Sequence, residues 1–242
     1  MITTPLSEQD TTLLDRAVAL AQKGLFTTKP NPRVGCVIAR EGKIIGEGWH
    51  VRAGQVHAEI AALIAADHDV RGADVFVSLE PCSHHGKTGP CATALIDAGV
   101  ARVVISMLDP NPEVSGRGVE MLRQAGIQVL ISDNPEQARM INSGFCLRME
   151  KGRPLVRLKI AATLDGRTAA SDGSSQWITG DSARKDVHTL RAMSCALITG
   201  IGTIRADNPR LNARVDSDVE QPLRVIVEGR HVVPPDAAIF NE

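Results

Sequence analysis

A chain of 242 residues with 43% hydrophobic content can bury one large core or two modest ones, and two is the expectation. With 27 Lys plus Arg against 28 Asp plus Glu, the formal charge is minus one, so no general basic field exists for gripping nucleic acid; at 2% aromatics and no Tyr, faces for stacking bases are scarce. No stretch approaches the roughly 20 apolar residues that span a bilayer, and the N-terminus lacks a basic segment followed by an apolar run, so a cytoplasmic protein with no membrane or nucleic-acid partner is expected.

Asp10 is the expected N-cap of a first helix, in which Leu13, Leu14, Ala17, Leu20 and Ala21 recur at helical spacing until Gly24 stops it. Residues 34–39 and 43–49 are β-rich runs on either side of Glu41-Gly42, a hairpin signal. Residues 57–66 read as an alanine-rich apolar helix and 73–79 as a buried strand. Pro90 sits where a helix can start, and 91–98 runs helically to Gly99. Strand 101–107, helix 118–125 with Gly126 as its stop, and strand 127–131 follow.

A hairpin followed by alternating helix and strand predicts a mixed sheet covered on both faces, a three-layer α/β/α domain. Residues 135–151 look helical, and Gly152-Arg153-Pro154 then punctuates the chain, which places a domain at 1–150 and another at 151–242. The second domain has its own α/β pattern, with strand 155–161, helix 181–193, buried strand 195–199 and strand 223–227, and is expected to be incomplete.

Five cysteines in an intracellular chain argue for metal or catalytic roles over a disulfide framework. Cys36 and Cys195 lie in apolar runs and Cys146 in a helical one, where buried neutral thiols are expected. The informative group is His57-Ala58-Glu59 followed, 24 positions after the histidine, by Pro81-Cys82 and then by Cys91. One imidazole and two thiolates suit tetrahedral zinc and leave a fourth position for a water that the metal acidifies. Glu59, two residues from its ligand, is placed to move protons, the role of the non-ligand Glu in zinc deaminases. A structural zinc site is the rival reading; it needs a fourth protein ligand, for which His84 and His85 are candidates.

The stretch Pro81-Cys82-Ser83-His84-His85-Gly86-Lys87-Thr88-Gly89-Pro90-Cys91 puts eight residues between the cysteines, where the common deaminase signature has two. With Pro30-Asn31-Pro32-Arg33-Val34-Gly35 before it and Asp109-Pro110-Asn111-Pro112 after it, it resembles the bifunctional deaminase/reductase family of riboflavin biosynthesis. The likeness continues through Leu158-Lys159, Thr163-Leu164-Asp165-Gly166-Arg167, Ser175-Gln176-Trp177-Ile178-Thr179 and Ala206-Asp207-Asn208-Pro209. It implies a cytidine-deaminase-like first domain and a dihydrofolate-reductase-like second one. The implied substrate is a small phosphorylated pyrimidine, a diaminopyrimidinone with a ribosylamino phosphate, deaminated on the ring and then reduced from ribosyl to ribityl with NADPH.

By the same resemblance, Asn31, His50 and Lys87 meet the deaminase substrate, and Ser175, Arg191, Leu211 and Arg214 meet the reductase substrate. Lys159, Ala161, Trp177, Thr203, Asp207 and, through its backbone alone, Gly229 lie on the NADPH side. The physical case is strongest for Lys87, Arg191 and Arg214, cations suited to a phosphate. Gly200-Ile201-Gly202-Thr203 lacks the full G-x-G-x-x-G pattern and fits a tight strand-to-helix turn as well as a phosphate loop. Thr163, Asn212 and Glu228-Gly229 depart from the family pattern, and its closing glycine-rich segment is absent from these residues. A homo-oligomer is expected. The alternatives are a nucleoside or tRNA deaminase, against which the charge balance and the long spacer argue, and a zinc-stabilised binding module, which has no use for Glu59.

Overall fold

The computed structural model describes residues 5–83, 89–112, 114–230 and 232–241. The chain divides into two compact units, Met1–Leu155 and Val156–Glu242. In the first, a five-stranded mixed sheet runs in the order β2-β1-β3-β4-β5, with β1 Gly35–Arg40, β2 Lys43–Trp49, β3 Asp74–Val77, β4 Arg102–Ile105 and β5 Gln128–Ile131. β1 is antiparallel to both β2 and β3, whereas β3, β4 and β5 are parallel. Glu41 and Gly42 both adopt positive φ, at 52° and 77°, as the twist of a two-residue hairpin turn requires.

Alternation along the strands builds the layers. Cys36 and Ile38 face one way, with Val75, Val77, Val103 and Ile105, against α2 (Ala58–Ala65), α3 (Cys91–Asp97) and α4 (Arg117–Gln124). Val37 and Ala39 face the other way, with Phe76 and Val104, against Leu13, Leu14, Ala17 and Leu20 of α1 (Glu8–Gln22). The three-layer mixed-sheet expectation holds because both faces of the central strands are apolar, so each needs a helical cover.

α1 starts two residues ahead of the expected cap. Ser7 is its N-cap: the Ser7 hydroxyl accepts the Asp10 N–H at 3.1 Å, and the Asp10 carboxylate accepts the Ser7 N–H at 3.3 Å. Asp10 is therefore the third helical residue of a capping box, not the cap. It also binds Arg102 at 2.7 Å, and Arg102 reaches Asp74 at 2.8 Å. Burial works to raise the Asp10 carboxyl, but the Arg102 guanidinium and the Ser7 hydroxyl outweigh it and hold the group below the usual carboxylate range.

A carboxyl lowered by folding stabilises the chain above the unfolded carboxylate pKa of about 4 and loses that contribution as pH falls through the folded value. Asp10→Asn is expected to lower the urea midpoint by the equivalent of about 1–3 kcal/mol at neutral pH, because Arg102 loses a charged partner. The deficit should shrink on acidification; urea titrations at several pH values check it, and a pH-independent deficit would assign the loss to packing instead.

The helix expected over 135–151 is two helices, α5 (Glu136–Ile141) and α6 (Ser143–Lys151), broken at Asn142. Asn142 is fully buried; its Oδ1 accepts the Arg33 N–H at 2.8 Å and its Nδ2 donates to the Arg33 carbonyl at 2.9 Å. Arg33 returns a guanidinium N–H to the Ile141 carbonyl at 2.8 Å. A side chain that bonds a distant main chain this way outcompetes the helical path, which local periodicity does not reveal.

In the second unit, α7 (Asp181–Met193), β6 (Ala196–Gly200), α8 (Ile201–Asp207) and β7 (Leu223–Val227) form a strand-helix-strand unit whose two strands are parallel. Ile204, Val233, Ala237 and Ile239 make its buried cluster. Two expectations are corrected. Residues 155–161 form no strand: they carry no regular secondary structure and pair with no sheet, and Leu158 is 85% exposed. The strand at 196–200 is only half covered, and Cys195 beside it is exposed, because in a two-stranded sheet each strand is an edge.

Candidate active site

The first unit brings together three donors that are far apart in the chain. His57 is the N-cap of α2, yet its side chain makes no capping bond. The ring turns instead to two sulfurs, with Nδ1 at 3.2 Å from Cys91 Sγ and 3.6 Å from Cys82 Sγ. Cys91 opens α3 after Pro90, and Cys82 follows the end of β3. The Cys91 N–H donates to Cys82 Sγ at 3.3 Å and the Ala92 N–H to the Cys82 carbonyl at 3.2 Å, so the start of α3 and the end of the strand are stitched together.

The His57, Cys82 and Cys91 donors all lie within 4.8 Å of one another. A tetrahedral zinc with bonds of about 2.1 Å to nitrogen and 2.3 Å to sulfur separates those atoms by about 3.6 Å, so the cluster fits the ion. Its place outside the carboxyl end of a parallel strand is where open α/β sheets put ligands.

α2 reaches this point because nothing holds it off β2. A Cβ on Gly48 would stand 2.4 Å from the Ala62 nitrogen and 2.5 Å from the Ala58 carbonyl oxygen, so the helix lies directly on the strand. Ala58 and Ala62, both fully buried, add the smallest side chains at that contact. Glu59, the second helical residue, is 3% exposed and aims inward.

The electrostatics follow from burial and from a shared proton. Burial first, and then the Cys82 charge, push the Glu59 carboxyl up to about 7, although the Cys91 thiol donates a hydrogen bond to it. The Cys82 thiol is held down to about 4, first by a hydrogen bond from Cys91 and then by His57, while the same bond raises Cys91. His57 is raised by its bond to Cys82. Of the two thiols, Cys82 is the one favoured as thiolate, and a dication in the cluster would favour both.

His50 is 3% exposed, and its ring lies edge-on to that of His57 with centroids 5.5 Å apart. His50 Nδ1 faces the Val56 carbonyl at 3.0 Å and Nε2 faces Asn31 Nδ2 at 3.2 Å. The carbonyl requires a proton on Nδ1, and an Asn31 amide N–H directed at Nε2 requires that nitrogen to accept; together the two contacts fit the neutral Nδ1–H tautomer. Burial lowers His50 and supports that state. Asn31 and His50 are thus brought together beside the cluster, and Lys87, His84 and His85 lie outside the described residues.

In the second unit, Arg191 donates to the Asn212 carbonyl at 3.1 Å and Arg214 to Asn212 Oδ1 at 2.6 Å, while the Arg214 N–H bonds His188 Nδ1 at 3.2 Å. Burial, and next the Arg214 charge, lower Arg191. Leu211 has a positive φ of 53° beside them, and Ser175 is half-buried. Lys159, Trp177, Thr203, Asp207 and Gly229 are exposed and Ala161 half-exposed; Trp177 carries the Arg184 guanidinium 4.3 Å from its ring centroid. Thr203 and Asp207 share α8, which begins directly after Gly200.

Two residues that matter here were not singled out from sequence. Asn142 braces Arg33 and so the loop that carries Asn31; an amide followed by Ser-Gly inside a helical run was its only signal in the sequence. Glu80, two residues before Cys82, is buried with its carboxylate on main-chain N–H groups. A charged residue closing a buried strand was the signal there.

Comparison with known proteins agrees with this geometry. Residues 7–107 match the cytidine and deoxycytidylate deaminase zinc-binding region, and residues 154–242 match the RibD C-terminal domain. The riboflavin biosynthesis protein RibD of Escherichia coli is 49% identical over 97% of this chain and 67% of its own length, and that of Haemophilus influenzae is 48% identical over 97% and 66%. The structure of Acinetobacter baumannii RibD aligns with a TM-score of 0.92 at 49% identity, covering 97% of this chain and 67% of that one. A Thermotoga maritima diaminohydroxyphosphoribosylaminopyrimidine deaminase/5-amino-6-(5-phosphoribosylamino)uracil reductase aligns at 0.90 and 42%, with the same coverage. The chain spans about two thirds of the length of these relatives.

Proposed function

Because the chain belongs to the RibD family of riboflavin biosynthesis proteins, with a cytidine-deaminase-like domain followed by a RibD C-terminal domain, we propose that it deaminates a diaminopyrimidinone bearing a ribosylamino phosphate. The observation that carries this reading is the His57, Cys82 and Cys91 cluster with the buried Glu59 carboxyl against it.

His57, Cys82 and Cys91 would hold zinc, which would supply Lewis-acid activation of a water at the ring carbon that carries the amino group. Glu59 takes the proton from the attacking water and passes it to the departing nitrogen, so that C–N breaks, C–O forms and ammonia leaves. Neutral His50 and Asn31 line the approach and offer hydrogen bonds that orient the ring. Lys87 is placed by motif on the substrate phosphate. The family domain at 154–242 supports NADPH as the cofactor of the second domain, and the Arg191 and Arg214 pair supports a phosphorylated ligand there. The use of Cys82 and Cys91 as thiolates favours a reducing compartment, in keeping with a cytoplasmic enzyme.

The direct test loads the chain with one equivalent of zinc and supplies the aminopyrimidine ribosylamino phosphate. Ammonia release is expected from that compound and not from cytidine or adenosine. Release from a nucleoside alone would move the reading to a nucleoside deaminase, and bound zinc with no release from any of the three would favour a binding module.

A further inference from the structure

Glu80 is 3% exposed and accepts four main-chain N–H groups. Asp109 donates to Oε2 at 3.1 Å and Gly116 at 3.0 Å; Gly118 donates to Oε1 at 3.0 Å and Val119 at 3.3 Å. Three of the four donors belong to the first turn of α4, whose N-cap, Gly116, has no side chain with which to cap it. A carboxylate from 36 residues earlier is that cap.

The contact is close: a Cβ on Gly118 would stand 2.0 Å from the Pro81 carbonyl oxygen, so α4 rests on the peptide that leads into Cys82. On the other side, the N–H groups of Cys91 and Ala92 bond the Cys82 sulfur and carbonyl. Cys82 is clamped between two helix starts, one bonded to it directly and one reached through the Glu80 carboxylate two residues before it.

We infer that Glu80 is a positioning residue for the metal centre, fixing the Pro81-Cys82 peptide against the 109–119 segment so that the Cys82 thiolate is aimed at the ion before it binds. The inference rests on the reading of His57, Cys82 and Cys91 as zinc ligands. It also gives the Asp109-Pro110-Asn111-Pro112 loop a role, since that loop supplies the first of the four donors.

Glu80→Gln keeps the volume but turns an NH2 group towards main-chain N–H groups, leaving one pair without an acceptor. The full-length chain is titrated with zinc against a chromophoric chelator, and the thiolate-to-metal absorption of the cobalt(II)-loaded chain is recorded. Glu80→Gln is expected to bind zinc about 10- to 100-fold more weakly, the usual effect of losing an outer partner of a ligand, with a shifted cobalt band. Asp10→Asn, which breaks an ion pair at the opposite end of β4, should leave both readings at wild type.

Wild-type affinity and spectrum in Glu80→Gln would overturn the inference while leaving the ligand assignment intact. Equal losses in Glu80→Gln and Asp10→Asn would also overturn it, by making the effect one of general stability. A wild-type chain that binds no zinc would remove the ligand reading and this inference with it. Should Glu80→Gln fail to fold, Gly118→Ala, which forces α4 off Pro81 from the other side, carries the same expectations and the same reversals.

Discussion

Glu59→Gln is expected to keep stoichiometric zinc and an unchanged far-ultraviolet spectrum while ammonia release falls by about 10²–10⁴-fold or more, the range for losing a general acid-base group. The expectation follows from position. Glu59 stands on α2 two residues past His57, is 3% exposed, and lies outside the His57, Cys82 and Cys91 donor group. The amide has the same size, and as a neutral group it is easier to bury than a carboxylate. What it cannot do is carry a proton between water and the leaving nitrogen. Single-turnover ammonia release with metal content measured on the same sample decides the matter; lost zinc would make Glu59 part of the ligand shell, and retained turnover would end its role as proton carrier.

Cys82→Ala should lower zinc affinity on the order of 10³-fold, since roughly 10–16 kcal/mol of apparent binding shared over the ligands comes to about 3–5 kcal/mol each. The remaining imidazole and thiolate hold the ion too weakly for nanomolar free zinc to fill the site, so turnover should disappear with the metal. The fold should survive, because Cys82 is only half-buried and the apolar cluster on that face of the sheet does not include it. Removing zinc from the wild type with a chelator should abolish turnover reversibly, whereas readdition should leave Cys82→Ala inactive. Stoichiometric zinc in the variant at nanomolar free metal would exclude Cys82 as a ligand.

Helices α2, α3, α4 and α7 and the strands β1 to β5 were legible because period 2 and period 3.6 are written locally and both faces of the sheet need apolar cover. The zinc donors were legible because residue type and order carry their chemistry. Where expectations failed, a competing partner intervened, a local one at the cap of α1 and distant ones elsewhere. Ser7 displaced Asp10 as the cap of α1 while Arg102 claimed the Asp10 carboxylate, and Arg33 split the 135–151 helix at Asn142. The strand expected at 155–161 and the burial expected for Cys195 needed sheet neighbours that periodicity cannot supply.

Taken alone, then, the sequence determined the order of the strands and helices between residues 35 and 131, the two-part organisation and the identity of one imidazole, two thiols and one carboxyl, all properties of residue type and short-range spacing. Tertiary structure decided that the imidazole and the two thiols converge within 4.8 Å, that Glu59 is buried and that His50 meets the Val56 carbonyl and Asn31 beside them. It also decided that the Glu80 carboxylate meets donors 29 to 39 residues away. The reason is physical: desolvation and hydrogen-bond geometry depend on what packs around a group, and that environment exists only once distant segments have closed over it.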